Sequence, residues 1–456
     1  MDAVRTPNTG FIALVEETGW TYSQFVRRVN SLGTRCGLVL KYDDSAVSHW
    51  LNDGAVPRAK VRPLILEVLS RKLGRPVTAA QAGLGPTGDV PGSSADTLAS
   101  ELIDLGSADL DPSRRTLLAA GLYSAVLAIP GWQDHMGRFE MLRTNPRLRI
   151  GQPEVASVIA MTEHISDLDD QFGGRMARPL ASAFLVTTIA PYLEAEASEP
   201  VRRAMLSAAA DHCYLTGYMA MDERADGLAQ KYYVKALELA KTAGDHLTYC
   251  TTLRGMSVQA VDLGHGQQSL RLADAAASAS RQAGPRMLAF LAGQQAHAAA
   301  QTGDRRGALL RMKEAERAME KAESRAKAFG SYDPSSLHYH VGQVRYELGD
   351  LAGAIDSFEE SDRLREPVFR RTRVRYNAML AEKQLQAGCL EEACVNWHRV
   401  LDDYPHVQSG RCDDRFTFMM GSIRPYLRNS RARALYERAR PMARGTSSVV
   451  SDKRVS

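Results

Sequence analysis

Thr302-Gly-Asp-Arg-Arg-Gly-Ala-Leu309 returns further along the chain as Leu348-Gly-Asp-Leu-Ala-Gly-Ala-Ile355. Two looser copies are Leu263-Gly-His-Gly-Gln-Gln-Ser-Leu270 and Ala387-Gly-Cys-Leu-Glu-Glu-Ala-Cys394. In each, a glycine is followed five residues later by a small Ser or Ala. Gly264, Gly303, Gly349 and Gly388 stand 39, 46 and 39 residues apart. Arg224 to Ala229 fits one step earlier at a spacing of 40, with arginine where the others have glycine. A glycine at this place ends one helix and permits a tight turn. The small residue then lets the second helix pack closely on the first. Tyr232, Leu237, Leu239, Leu272, Phe358 and Trp397 are suited to fill the space between such hairpins. Phe172-Gly-Gly174 marks a weaker, earlier hairpin, and Leu427–Arg440 a closing helix. The competing reading is an irregular helical domain with chance Gly–Ala spacing, and four aligned copies weigh against it.

Helical hairpins recurring every 34 residues or more are the signature of tetratricopeptide solenoids. The predicted fold is therefore all-α: an N-terminal helix-turn-helix domain over residues 1–84, a linker over 85–95, and a tetratricopeptide-like α-solenoid over 96–444. Gly83-Leu-Gly-Pro-Thr-Gly-Asp-Val-Pro-Gly-Ser-Ser94 reads as flexible linker by composition. Residues 445–456 read as a disordered tail.

The first domain rests on two short runs. In Gly19-Trp-Thr-Tyr-Ser-Gln-Phe-Val-Arg-Arg-Val29, Thr21 and Gln24 stand at capping-box spacing, and Trp20 and Phe25 at staple positions. Phe25, Val26 and Val29 make an apolar stripe for a helix that begins at Tyr22. In Ser45-Ala-Val-Ser-His-Trp-Leu51, Val47, Trp50 and Leu51 point into a small core. Asp43 or Asp44 caps this helix. Ser45, Ser48, His49 and Asn52 lie on the opposite face and suit the major groove. Asp53-Gly54 stops the helix, and Pro57 delays the next. A further helix, about Arg62 to Leu73, buries Leu64, Ile65, Val68 and Leu69.

The order of these runs resembles Cro/repressor-like (XRE-type) helix-turn-helix domains. Asp169-Asp-Gln-Phe-Gly-Gly-Arg, Leu228-Ala-Gln-Lys-Tyr-Tyr-Val-Lys-Ala-Leu and Met256-Ser-Val-Gln-Ala-Val-Asp-Leu-Gly-His extend the likeness. From about residue 10 to 440 the chain resembles actinomycete (Streptomyces-type) regulators that join such a domain to tetratricopeptide repeats. The resemblance implies that the Ser45–Asn52 helix is the recognition helix, with Tyr22 near a phosphate and Arg58 near the backbone or minor groove. It also implies control of development or secondary metabolism. The chain departs from the pattern in Leu32–Tyr42, which is longer than the usual tight turn and brings Arg35 and Lys41. Asp44 places a negative charge where phosphate would approach.

Charge follows this division. Residues 1–84 hold eleven Lys/Arg against seven Asp/Glu, and the remainder balances at 46 of each, so all of the +4 net charge lies in the first segment. A basic excess is consistent with phosphate contact. No apolar run is long enough for a transmembrane helix. Phe11–Val15 is too brief for a signal region. The six cysteines are scattered without a Cys-x-x-Cys pair, which suits reduced thiols in the cytoplasm.

No enzyme is expected. The chain has no Gly-x-x-x-x-Gly-Lys-Ser/Thr loop and no Gly-x-Ser-x-Gly elbow. His338 and His340 are two apart and point differently on a helix, so they do not pair around a metal. Cys389 and Cys394 lack histidines at ligand spacing, and Asp167, Asp169 and Asp170 read as a solvated helix end. No catalytic residue, metal or cofactor is predicted.

Ligand candidates lie on the solenoid. In Phe369-Arg-Arg-Thr-Arg-Val-Arg-Tyr-Asn377, Arg370, Arg373 and Asn377 share one helical face. Arginine offers two parallel donors to a carboxylate or phosphate, and asparagine can hold a peptide backbone. The alternative is a solvated basic face paired with Glu359, Glu360 and Glu366. Tyr214, Tyr218, Arg254 and Gln259 are weaker groove candidates. The sequence thus predicts a sequence-specific DNA-binding regulator that reads double-stranded DNA as a homodimer. Tyr22, Ser45, Ser48, His49, Asn52, Arg58 and Lys60 form its DNA face, and a peptide or small-molecule effector acts through the solenoid. A protein-binding scaffold with a vestigial helix-turn-helix is the alternative. No membrane partner is expected.

Overall fold

The computed structural model describes residues 7–35, 40–58, 61–73, 77, 79, 81–84, 98–111, 145–280, 283–322 and 332–451. The expected linker, the side chain of Arg35, and Lys60 lie outside the described residues. Four helices open the chain: α1 (Thr9–Thr18), α2 (Tyr22–Arg35), α3 (Asp44–Asn52) and α4 (Arg62–Leu73). Next come α5 (Leu98–Leu110), α6 (Gln152–Phe172), α7 (Gly174–Phe184) and the single turn α8 (Ala190–Leu193). The array continues with α9 (Glu199–Asp222), α10 (Asp226–Ala243), α11 (His246–Asp262), α12 (Gly266–Ser278), α13 (Pro285–Gln301) and α14 (Arg305–Glu320). It ends with α15 (Pro334–Glu347), α16 (Leu351–Arg363), α17 (Arg370–Gln386), α18 (Leu390–Asp403), α19 (Gly410–Ile423) and α20 (Ser430–Ser451). The only strands among the described residues are Asn145–Arg149 and Ala195–Glu196, a short parallel pair. The fold is all-α and solenoid-like.

The chain divides into two compact units. The first takes residues 1–158, 182–217 and 225–272, and the second takes 159–181, 218–224 and 273–456.

In the first unit, α1 to α4 enclose one core. Phe11, Leu14 and Val15 of α1 join Phe25, Val26, Val29, Val47, Trp50, Leu51, Leu64, Ile65, Val68 and Leu69. Each such side chain stabilises by about 1.5–3 kcal/mol relative to exposure. The capping box forms in both directions: Thr21 N donates to Gln24 Oε1 at 3.2 Å, and Gln24 N donates to Thr21 Oγ1 at 3.3 Å. Trp20 packs on the same cluster as Phe25. The long connection between α2 and α3 is partly helix, since α2 runs to Arg35. Its far end folds back: Asn30 Nδ2 donates to Tyr42 O at 2.8 Å and Asn30 Oδ1 accepts from Tyr42 N at 3.2 Å. The Tyr42 ring meets Trp50 edge-on at 4.9 Å. Glu67 of α4 lies 3.2 Å from the ring nitrogen of His265, and both side chains are buried.

The repeat glycines act as read from the sequence. Gly264, Gly303, Gly349 and Gly388 have φ between 80° and 86°. At Gly303 the amide donates to Ala300 O at 3.0 Å, and the next amide, Asp304 N, donates to Ala299 O at 3.0 Å. Gly264, Gly349 and Gly388 close their helices with the same bond pair, which satisfies carbonyls that a helix end leaves open. Asp304 and Asp350 then cap the following helices through Gly307 N and Gly353 N. Arg224, the arginine in the glycine's place, is the one non-glycine residue with positive φ among the described residues. The small partners Ala229, Ser269, Ala308, Ala354 and Ala393 are fully buried. Ser257 and Ser269 exchange side-chain-to-carbonyl bonds at 2.9 Å, and Ser335 and Ser361 do the same across another hairpin. Gly173 marks the early hairpin at φ 90°. The last helix passes Gly445 and reaches Ser451, so helix continues into the segment read as tail; residues 452–456 lie outside the described residues.

Candidate functional site

Helix α3 is fixed by what it buries. Val47, Trp50 and Leu51 are in the core, so the other face is turned outward. Ser45, His49 and Asn52 are exposed, and Ser48 is half-buried. Asp43 is the cap: its carboxylate accepts from Ala46 N at 3.1 Å and from Ser45 Oγ at 2.6 Å. The Ser45 hydroxyl and the Ala46 amide hold its carboxyl below the usual carboxylate range. Asp44 accepts a hydrogen bond from Ser23 Oγ of α2. Two bonds tie the outward face locally. His49 Nδ1 lies 2.5 Å from Asp53 Oδ2, and Asn52 Nδ2 donates to Ser48 Oγ at 3.1 Å. A base edge would have to replace them. Tyr22, Lys41 and Arg58 are exposed nearby in sequence.

Between α2 and α4 the first domain holds a feature that the sequence did not announce. A crevice of about 520 Å³ is lined by Trp20, Gln24, Arg27, Arg28, Ser31, Leu32 and Val68. The Arg28 guanidinium lies 4.4 Å from the Trp20 ring centre, and Lys72 Nζ lies 5.4 Å from it. Helical spacing of Arg28 from Gln24 and Leu32 was readable, but Lys72 reaches Trp20 only through the packing of α4 on α2.

Residues 11–85 match a family model described as the SP15 N-terminal domain. The match coincides with the first core, whose buried residues run from Phe11 to Leu84. No curated protein matches the chain.

The expected ligand residues fall in both units. Gln259 is buried and donates to Asp226 O and Oδ1 at 3.0 and 2.9 Å, so it ties two helices together. Tyr214 is buried 6.0 Å from the Tyr233 ring. Arg254 is half-buried in the same unit, whereas Tyr218 belongs to the second unit. Arg370 and Arg373 both reach Asp403, at 3.8 and 3.4 Å, rather than Glu359, Glu360 or Glu366. Asn377 is buried at 2% exposure. One turn on from Arg373 it faces inward, because the helix packs on more than one neighbour.

The residue that matters between them is Arg371. It is 3% exposed. Its guanidinium lies 2.9 Å from Asp169 Oδ2, 2.8 Å from Asp170 Oδ1 and 3.6 Å from Asp222 Oδ1. It also stands over the Tyr218 ring at 5.1 Å. Asp169 is 2% exposed, so Asp169 and Asp170 are no solvated helix end, though Asp167 is exposed; α6 delivers the two to a buried guanidinium. Burial pushes the Asp169 carboxyl up to about 8, against the pull of Arg371 and with repulsion from Asp222 and Asp170. Three carboxylates around one guanidinium cannot all ionise cheaply, so the cluster keeps a proton. Burial works against ionisation of the Tyr218 phenol, but Arg371, Arg411 and Arg375 overcome it and lower its pKa.

The thiols of Cys213, Cys250 and Cys412 are pushed up to about 12, chiefly by burial. His340 is buried with its Nδ1 2.8 Å from Tyr332 Oη. No group of three His, Cys, Asp or Glu among the described residues could hold a metal ion. No described helix is long and apolar enough to cross a membrane.

Proposed function

We propose that the chain is a sequence-specific DNA-binding regulator of transcription, acting in the cytoplasm by binding and not by catalysis. The observation that carries this reading is α3: a short helix with Val47, Trp50 and Leu51 in the core and Ser45, Ser48, His49 and Asn52 turned outward. Those side chains suit base edges. Tyr22, Arg58 and Lys60 are assigned to phosphates. A homodimer follows from specificity, because one nine-residue helix reads too few base pairs, whereas two half-sites about 34–36 Å apart read enough. The repeat array supplies the sensor and the dimer contact, and its effector, a peptide or a small molecule, acts by favouring one arrangement over another. Control of development or secondary metabolism is the setting that the family resemblance gives.

The test is selection of genomic DNA fragments by the purified protein, with Ser48→Ala/His49→Ala in parallel. A two-fold motif enriched by the wild type and lost in the variant is expected. Enrichment of the same motif by both would remove α3 as the reading surface. One observation favours a second reading, a protein-binding scaffold with a vestigial helix-turn-helix. Asp43, Asp44 and Asp53 put three carboxylates at the two ends of α3, where phosphates would be repelled. Duplex binding that weakens steeply with salt separates the two; a scaffold would show none.

A further inference from the structure

The second unit contains a buried cation that meets no anion among the described residues. Arg375 is 6% exposed. Around it the charges are paired off. Arg371 takes Asp169, Asp170 and Asp222. Arg178 takes Glu223 at 2.7 Å, Arg175 takes Asp413 at 2.9 Å, and Arg415 takes Glu382 at 2.7 Å. The Arg375 side chain makes no hydrogen bond or ion pair with any described residue; its Cζ lies 5.9 Å from the Tyr376 ring centre. A guanidinium cannot escape the cost of burial by losing its proton. Among the described residues no anion answers it.

The half-buried Tyr218 hydroxyl is also without a hydrogen-bond partner among the described residues. Arg375 sits one turn after Arg371 on α17 and so on the same face, which turns toward Tyr218. The neighbouring Tyr376 is held in place by its own partners: it stacks on Tyr339 at 4.0 Å with 6° between the planes, and Arg365 covers it at 4.6 Å.

We propose that Arg375 and Tyr218 form a binding site for a small carboxylate- or phosphate-bearing ligand. Arg375 donates two parallel N–H groups to the anion, and the Tyr218 hydroxyl donates a third. Asp169, holding its proton, does not oppose the incoming charge. These are not the residues that the sequence pattern selected on α17. Arg370 and Arg373 already share Asp403. The site would supply the effector arm of the regulator proposed above, but it stands on the second unit alone, and its failure would leave the reading of α3 untouched.

The probes are sodium phosphate, sodium acetate, and an N-acetyl tripeptide with a free or an amidated C-terminus. Each is compared with sodium chloride at equal ionic strength on the full chain. The expected result is a rise of about 2–4 °C in the melting midpoint with at least one anion. Phosphate alone marks a phosphate ligand, acetate alone a small carboxylate, and the free but not the amidated peptide a chain terminus. Arg375→Gln should abolish the rise and Tyr218→Phe should weaken it at least tenfold in anion concentration. Arg399→Gln, a surface arginine paired with Asp362, should keep it. Because Arg375→Gln could fail to fold, a second readout uses the wild type. Anion binding must raise the ionisation midpoint of the one phenol that disappears in Tyr218→Phe. Equal midpoints in chloride and every anion, a rise that persists in Arg375→Gln, or an unmoved Tyr218 ionisation would each overturn the site.

Discussion

Arg224 occupies the left-handed region at φ 67°, where a side chain other than glycine costs about 1–2 kcal/mol. Its amide closes α9 onto Met221 O at 3.0 Å, and its side chain reaches Asp414 Oδ2 at 2.6 Å. That pair is partly exposed and contributes little. Arg224→Gly should therefore leave the urea midpoint level or raise it. Gly303→Ala and Gly349→Ala should each cost about 1–2 kcal/mol. An added Cβ meets nothing within 4 Å at either glycine, so the loss would report backbone conformation alone. Equal midpoints in all three variants would refute this account of the turns. Asp169 gives a pH prediction. Its carboxyl titrates near 8 in the fold against 3.8 unfolded, so between those values the native state holds the extra proton. Stability then falls as pH rises toward 8 and is fully recovered below about 4 for this group. Asp211, pushed up to about 7 chiefly by burial, acts in the same direction. Urea midpoints at pH 6 and 8.5 check the slope, and Asp169→Asn should flatten it. An unchanged slope in that variant would show that Asp169 is ionised throughout.

At the scale of elements, each hairpin depends on a residue small enough for close approach. Ala308 on α14 and Ala354 on α16 are fully buried. Ala308→Leu should cost about 1–3 kcal/mol through overpacking, measured by denaturant unfolding; a neutral result would mean that the two helices can part. On α3, His49→Ala should weaken specific DNA binding by about 1–3 kcal/mol if its ring meets a base. Arg58→Ala should weaken all duplexes alike and flatten the salt dependence. Gel-shift titrations at several salt concentrations measure both. The elements were largely legible. Glycine at the hairpin turns, the Thr21–Gln24 box and the Val47-Trp50-Leu51 triad all act through neighbours within one or two turns, and such signals are local. The insert before α3 was not legible, because Asn30 holds Tyr42 across twelve residues, and no local pattern announces that clasp.

At the scale of the molecule, the first four helices are not an isolated body within their unit. Buried Glu67 of α4 faces buried His265, which follows the first repeat glycine, Gly264. His265→Ala removes one partner from that carboxylate, and a buried polar group left short of a bond costs about 1–3 kcal/mol. Amide hydrogen exchange in α4 should accelerate in this variant while α17 and α18 stay unchanged. Uniform acceleration through both units would mean that the contact supports the whole chain and not the join.

By itself the sequence determined an all-α chain, the places where its repeat hairpins turn, and the outward face of α3. Each follows from periodicity, chirality and capping, which operate over a few residues. Tertiary structure alone decided which arginines of Phe369–Asn377 are buried, that Asp169 and Asp222 meet Arg371, and that Arg375 meets no anion among the described residues. Helical spacing puts Arg371 and Arg375 on one face and Arg370 and Arg373 on another. Only the arrival of α6, α9 and α19 against α17 gives one face carboxylates and leaves the other to share Asp403, because the energy of a charge depends on what surrounds it and not on its place in the chain.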